Sequence, residues 1–163
     1  MSTHRVLTIT LAVLTSIACN PFRRAPAVEV SAQDATLNTR WHANLASPAS
    51  LAGAVQMNGS ASMAPSPSGT STTITLNLAN ASPGGRHPWA VHLGQCGAGT
   101  DHGVFGSSDA YKTLEVESDG DAIGTATVPL QTPSTGSYFA VVHASVTNFE
   151  MIVACGNLAP PTQ

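Results

Sequence analysis

The stretch GRHPWAVHLGQCGAGTDH, residues 85–102, gathers three histidines, a tryptophan and a cysteine into eighteen positions of a chain that has only six histidines, two tryptophans and three cysteines. Its alternation is that of a β-strand. Ala90 and His92 fall on one face and His87 on the other, because successive side chains of a strand point to opposite sides. Downstream, the glycine-rich GAGTD reads as a turn leading to His102, and a further histidine, His143, ends the run YFAVVH. Imidazole is the commonest side-chain metal ligand, so a strand handing over to a tight loop is a means of converging several of them on one ion.

Working outward, short runs rich in small and β-branched residues recur between turn clusters. The candidate strands are 40–45, 54–63, 70–80, 87–93, 114–116, 122–129, 137–143 and 151–155. Thr73, Thr75 and Asn77 interleave with Ile74, Leu76 and Leu78 at a period of two. APSPSG, ASPGG, SDG and QTPSTG punctuate the runs, and no window carries a capped helical stripe. Together these features predict an all-β antiparallel sandwich or barrel over residues 40–163. With 163 residues, the chain has enough length for one such core.

The N-terminus reads as an address. Arg5 precedes an apolar run, residues 6–18, too short to span a bilayer and suited to the core of a secretory signal over residues 1–18. The junction at Cys19 resembles the lipobox of bacterial lipoproteins, although Ser16 stands where leucine is usual and Leu14 lies two positions early. Lipidation of Cys19 would anchor an exported protein to the cell-envelope membrane and leave two cysteines, an even count for an oxidising compartment. Ordinary cleavage with a spare thiol at Cys19 is the alternative. Residues 19–39 lack periodicity and read as a tether, with Arg23 and Arg24 on a solvated linker. Without Arg5, five basic side chains face nine acidic ones, a net charge of −4, which excludes nucleic acid as a partner.

Four features in order resemble the Cu/Zn superoxide dismutase family across residues 53–158. PGGRHPWAVH is similar to the strand bearing its copper histidine pair; Cys96 followed by His102 resembles its disulfide cysteine and bridging histidine. VVHA at His143 resembles its last copper histidine, and ACG at Cys155 its second disulfide cysteine. The resemblance implies a Greek-key β-sandwich or barrel with a copper site at His92, His102 and His143, with His87 as a supporting, backbone-bonding histidine and Cys96 bonded to Cys155. Export alone also leads us to expect that cysteine pair to be oxidised, closing a loop worth ~4 kcal/mol in chain entropy.

The departures are as informative. Ala90 stands where the family has the first histidine of its copper pair, so three imidazoles remain for a copper(II) ion that prefers a tetragonal donor set. No histidine lies between His102 and His143, and Asp109 is the one carboxylate in reach, so zinc is not expected. The segment between His143 and Cys155 is short, and Ile152 occupies the position of the family's arginine beside copper, removing a charge that attracts an anionic substrate. His42 finds no counterpart. Trp89 reads as a packing residue, while Glu115, Glu117, Asp119 and Asp121 read as solvated groups around a turn. Three functions stay open: a copper oxidoreductase that dismutates superoxide, a copper-holding module exchanging the ion with a donor or acceptor, and a metal-free interaction domain.

Overall fold

Alternation in the sequence becomes alternation in burial. In the computed structural model, which describes residues 39–54, 56–97, 99 and 101–161, β1 (Trp41–Ala46) buries every second residue, beginning with Trp41. The pattern repeats in β3 (Thr72–Ala79), whose Ile74, Leu76 and Leu78 point inward, and in β7 (Ala122–Val128). One face of each strand therefore meets the core and the other meets solvent. The signal, nearly all of the tether, Cys19 and the Arg23 and Arg24 pair lie outside the described residues.

These strands belong to a seven-stranded antiparallel sheet of order β5-β8-β9-β1-β2-β3-β7, with β2 at Asn58–Pro65, β5 at Trp89–Leu93, β8 at Tyr138–Ser145 and β9 at Asn148–Leu158. A second, two-stranded sheet joins β4 (Arg86–His87) to β6 (Leu114–Glu115). The non-sequential neighbours β5 and β8, β9 and β1, and β3 and β7 mark crossovers over the ends of the sandwich. The chain is all-β, apart from two three-residue 3-10 turns among the described residues.

All eight predicted strand regions contain strand, with three differences. The run at 87–93 is cut at Pro88, which has no N–H to donate. The piece before it pairs with β6, and the piece after it pairs with β8, so one extended segment serves both sheets. This curls the large sheet toward closure, with β6 packed on β7 at its far edge. The candidate at 54–63 starts only at Asn58, after a 3-10 turn at Ala49–Leu51, and β9 starts at Asn148 because it forms a tight hairpin with β8.

Strands β5 and β8 break the alternation: Trp89, Ala90, Val91 and His92 are all buried, as is the middle of β8. Burial on both faces requires a second covering layer. On the inner face lies the main core of Trp41, Met63, Ile74, Leu76, Trp89, Leu114 and Val128, and on the outer face a smaller cluster of Phe139, Val141 and Cys155. The segment after β5 runs over that side. It is joined to β9 by the Cys96–Cys155 disulfide, with Cα atoms 6.0 Å apart, and folds back along the free edge of β5. There Leu93 N–H donates to Gly103 O, His102 N–H to Leu93 O and Phe105 N–H to Val91 O. An edge that would otherwise present unpaired groups is thus capped.

Candidate functional site

The outer face of β5 and β8 carries two buried histidines. Register sets Ala90 opposite Val141 and His92 opposite Phe139, and the His143 N–H donates to Pro88 O at 2.8 Å. Pro88, Ala90 and His92 share one face by the two-residue period, and so do Phe139, Val141 and His143. The two imidazoles converge across Ala90, with ring centroids 6.4 Å apart. Each residue is only 6% exposed.

Asp101 orients His92. The Nδ1 of His92 is 2.9 Å from both carboxylate oxygens, and Asp101 is itself fixed by the Gly103 N–H, which donates to Oδ1 at 2.8 Å. Gly103 has φ +99°, the left-handed conformation that lets the chain turn from Asp101 onto the edge of β5. The hydrogen bond from His92, then that from Gly103, holds the Asp101 carboxyl below the usual range against partial burial. A nitrogen facing a carboxylate carries the proton, so Nδ1–H donates to Asp101 and Nε2 is the ring atom left to accept or to bind. That atom is buried without a hydrogen-bond partner.

His143 is set by its surroundings. His87 lies beneath the strand and places Nδ1 3.0 Å from the backbone oxygen of His143, bracing the main chain that carries the imidazole. Phe149 stacks on the ring with centroids 3.8 Å apart and planes inclined by 16°. Both His143 nitrogens are buried without partners. Burial pushes its pKa below 6.5; the nearby Phe149 backbone opposes this without closing a hydrogen bond, His92 adds to the fall, and Glu150 and Asp101 counter it. At neutral pH the ring is uncharged.

His102 does not join them. It is exposed and lines a separate surface groove with Leu93 and Tyr138. Adjacent residues of an extended segment point to opposite sides, so with Asp101 turned to His92 its neighbour turns away. Asp109 sits on the 3-10 turn Ser108–Ala110 and is exposed. Among the described residues, no three His, Cys, Asp or Glu side chains gather in a group able to hold a metal ion. Two contributors escaped the sequence reading. Asp101 was hidden by the turn-rich GAGTD, and Phe149 by a bulge in β9 that resets strand parity.

A pH dependence follows. Around pH 6.5 the unfolded His143 takes up a proton that the folded state accepts only at lower pH, so the unfolded state binds more protons in that window. Stability is therefore expected to fall as pH drops from 7 through 6.5 toward the native pKa, then level off with respect to this group. Asp101 adds a separate loss as pH falls below the ordinary aspartate value of 3.8. Thermal melts of the wild type and His143→Gln between pH 7.5 and 4.5 check this: the variant should show the shallower slope, and parallel slopes would remove the assignment.

No known family model matches the chain, and no curated protein matches it.

Proposed function

We propose that the domain is an exported copper-holding module that carries copper(I) between His92 and His143 and exchanges it with a donor or acceptor. The observation that carries this reading is the facing pair of buried imidazoles, in which His92 Nε2 and both ring nitrogens of His143 lack hydrogen-bond partners. Buried polar atoms are satisfied in nearly all native structures, and each orphan costs about 1–3 kcal/mol. A metal bound between the rings would relieve two of these orphans at once, Nε2 of His92 and one nitrogen of His143.

The donor set fits copper(I). Imidazole suits copper, and copper(I) is content with fewer ligands than the tetragonal copper(II) ion. The 6.4 Å centroid separation matches two rings spanning one ion through metal–nitrogen bonds of ~2 Å. Asp101 on the far nitrogen of His92 is the carboxylate–histidine arrangement that orients metal-binding imidazoles. Zinc does not fit, because a closed tetrahedral site needs four donors.

Superoxide dismutation is the weaker reading. Besides His92, the charges acting on His143 are the carboxylates of Glu150 and Asp101, which repel an anion and favour a cation. The Cys96–Cys155 disulfide supports an oxidising, extracytoplasmic setting. A lipid anchor at Cys19 would keep the module at the envelope membrane.

Copper(I) stoichiometry and affinity, measured with the disulfide intact, test the proposal. We expect one ion per chain, at least a ~100-fold loss of affinity in His92→Ala and in His143→Ala, and no change in His102→Ala. Bound copper at a hundred times Kd should raise wild-type stability by ~2.7 kcal/mol. Absent binding, or binding indifferent to His143, would overturn it.

A further inference from the structure

We propose that Phe149 controls access to His143, acting as a hinged cover over the imidazole. This rests on the copper-holding reading for its purpose, though not for its geometry. Strand β9 pairs His143 with Ile152 and Ser145 with Asn148, so one β8 residue, Ala144, faces three on β9, residues 149–151. The excess lifts the β9 backbone out of the ladder, and Phe149 folds from this bulge onto His143. Bulges re-aim side chains in this way beside functional sites.

The cover closes on the inside and is free on the outside. His143 is 6% exposed beneath a phenyl ring that is itself 49% exposed, and its hairpin neighbour Val146 is 70% exposed. Nothing among the described residues is seen to hold the outer side of the phenyl ring. Rotation about its side-chain bonds breaks the ring stack and no backbone hydrogen bond. Rotamer changes of exposed side chains take picoseconds to nanoseconds, so opening is fast and the closed population is set by the stack. An aromatic stack of this kind favours the closed state by about threefold to tenfold.

The role assigned to Phe149 is therefore to keep two orphaned ring nitrogens from water while leaving a short path for an incoming ion. It predicts that removing the ring accelerates both uptake and release of copper and leaves the equilibrium affinity within about threefold. A gate that leaves the free and bound end states alike changes both rates by the same factor, because their ratio is the affinity.

The test uses the metal-free full-length chain first. Acylation of histidines by diethylpyrocarbonate, located by peptide mass spectrometry, reports access to His143, with exposed His102 as the internal standard. Phe149→Ala should raise the His143 rate relative to His102 by about tenfold, Phe149→Leu should raise it less, and Phe149→Tyr should restore the wild-type ratio. If Phe149→Ala does not fold, Phe149→Leu carries the comparison. In copper(I) stopped flow, Phe149→Ala should take up and release the ion about tenfold faster. An unchanged acylation ratio overturns the proposal, as does an unchanged uptake rate in a protein that binds copper. Failure of every form to retain copper refutes the copper reading instead, and the acylation ratio still decides the cover.

Discussion

Trp89→Ala is expected to destabilise the domain by ~3–5 kcal/mol and lower its melting temperature by ~12–20 °C. Trp89 is 3% exposed at the start of β5, where the segment changes partner from β6 to β8. Its ring meets Tyr111 edge to face at 5.2 Å, and Nε1–H donates to Lys112 O at 2.7 Å. The fit extends to the opposite strand. A Cβ at Gly124 would lie 2.6 Å from Leu114 Cδ2 and 2.7 Å from Trp89 Cε2, so that position of β7 is kept bare to admit the indole. Truncation would leave a cavity between β5, β6 and β7 and remove the hydrogen bond to the Lys112 carbonyl. Trp89→Phe should cost less, because it keeps most of the apolar volume. Urea unfolding separates the two variants, and a loss below 1 kcal/mol for Trp89→Ala would show that this seam does not hold the barrel.

The seam also shows which parts of the fold could be read in advance. Strand β3 was legible because its Thr and Asn residues and its Ile and Leu residues alternate without interruption, and a one-residue slip would exchange the two faces. Pro88 was legible as a residue and not as a partner switch, since that depends on where β6 and β8 arrive in space. The Cys96–Cys155 bond was expected from export and from the resemblance, and it is present. At the site, His92 and His143 were visible as histidines on strands whose faces parity could assign. Asp101 was not, because the direction of a side chain after a run of glycines in left-handed conformations cannot be counted off in twos. Phe149 was hidden for the same reason, its parity being reset by the bulge. Periodicity reads regular strands well and loses its meaning at turns and bulges, which is where the groups that orient and cover the two histidines arise.

Removing the disulfide with Cys96→Ala and Cys155→Ala together is expected to cost ~4 kcal/mol and lower the melting temperature by ~15 °C. The bond closes a loop with a sequence separation of 59, and by chain entropy a loop of this size restricts the unfolded ensemble by about that amount. The folded state also depends on it locally. Cys96 lies on the segment leaving β5, where its N–H donates to Asn157 Oδ1 at 2.8 Å, and Cys155 belongs to the outer cluster with Phe139 and Val141. Downstream, the backbone ladder from His102 to Phe105 is independent of the bond and should hold that part of the loop on β5. Among the described residues between Gly94 and Asp101, no such ladder to β5 is seen. Limited proteolysis of the double variant should therefore cut first within residues 95–100, while fragments beyond Phe105 stay protected, because proteolysis follows local opening. Loss of protection across the whole domain would mean that the disulfide holds the outer layer as one unit. An unchanged melting temperature would instead assign the entire hold to the ladder and remove the entropic account.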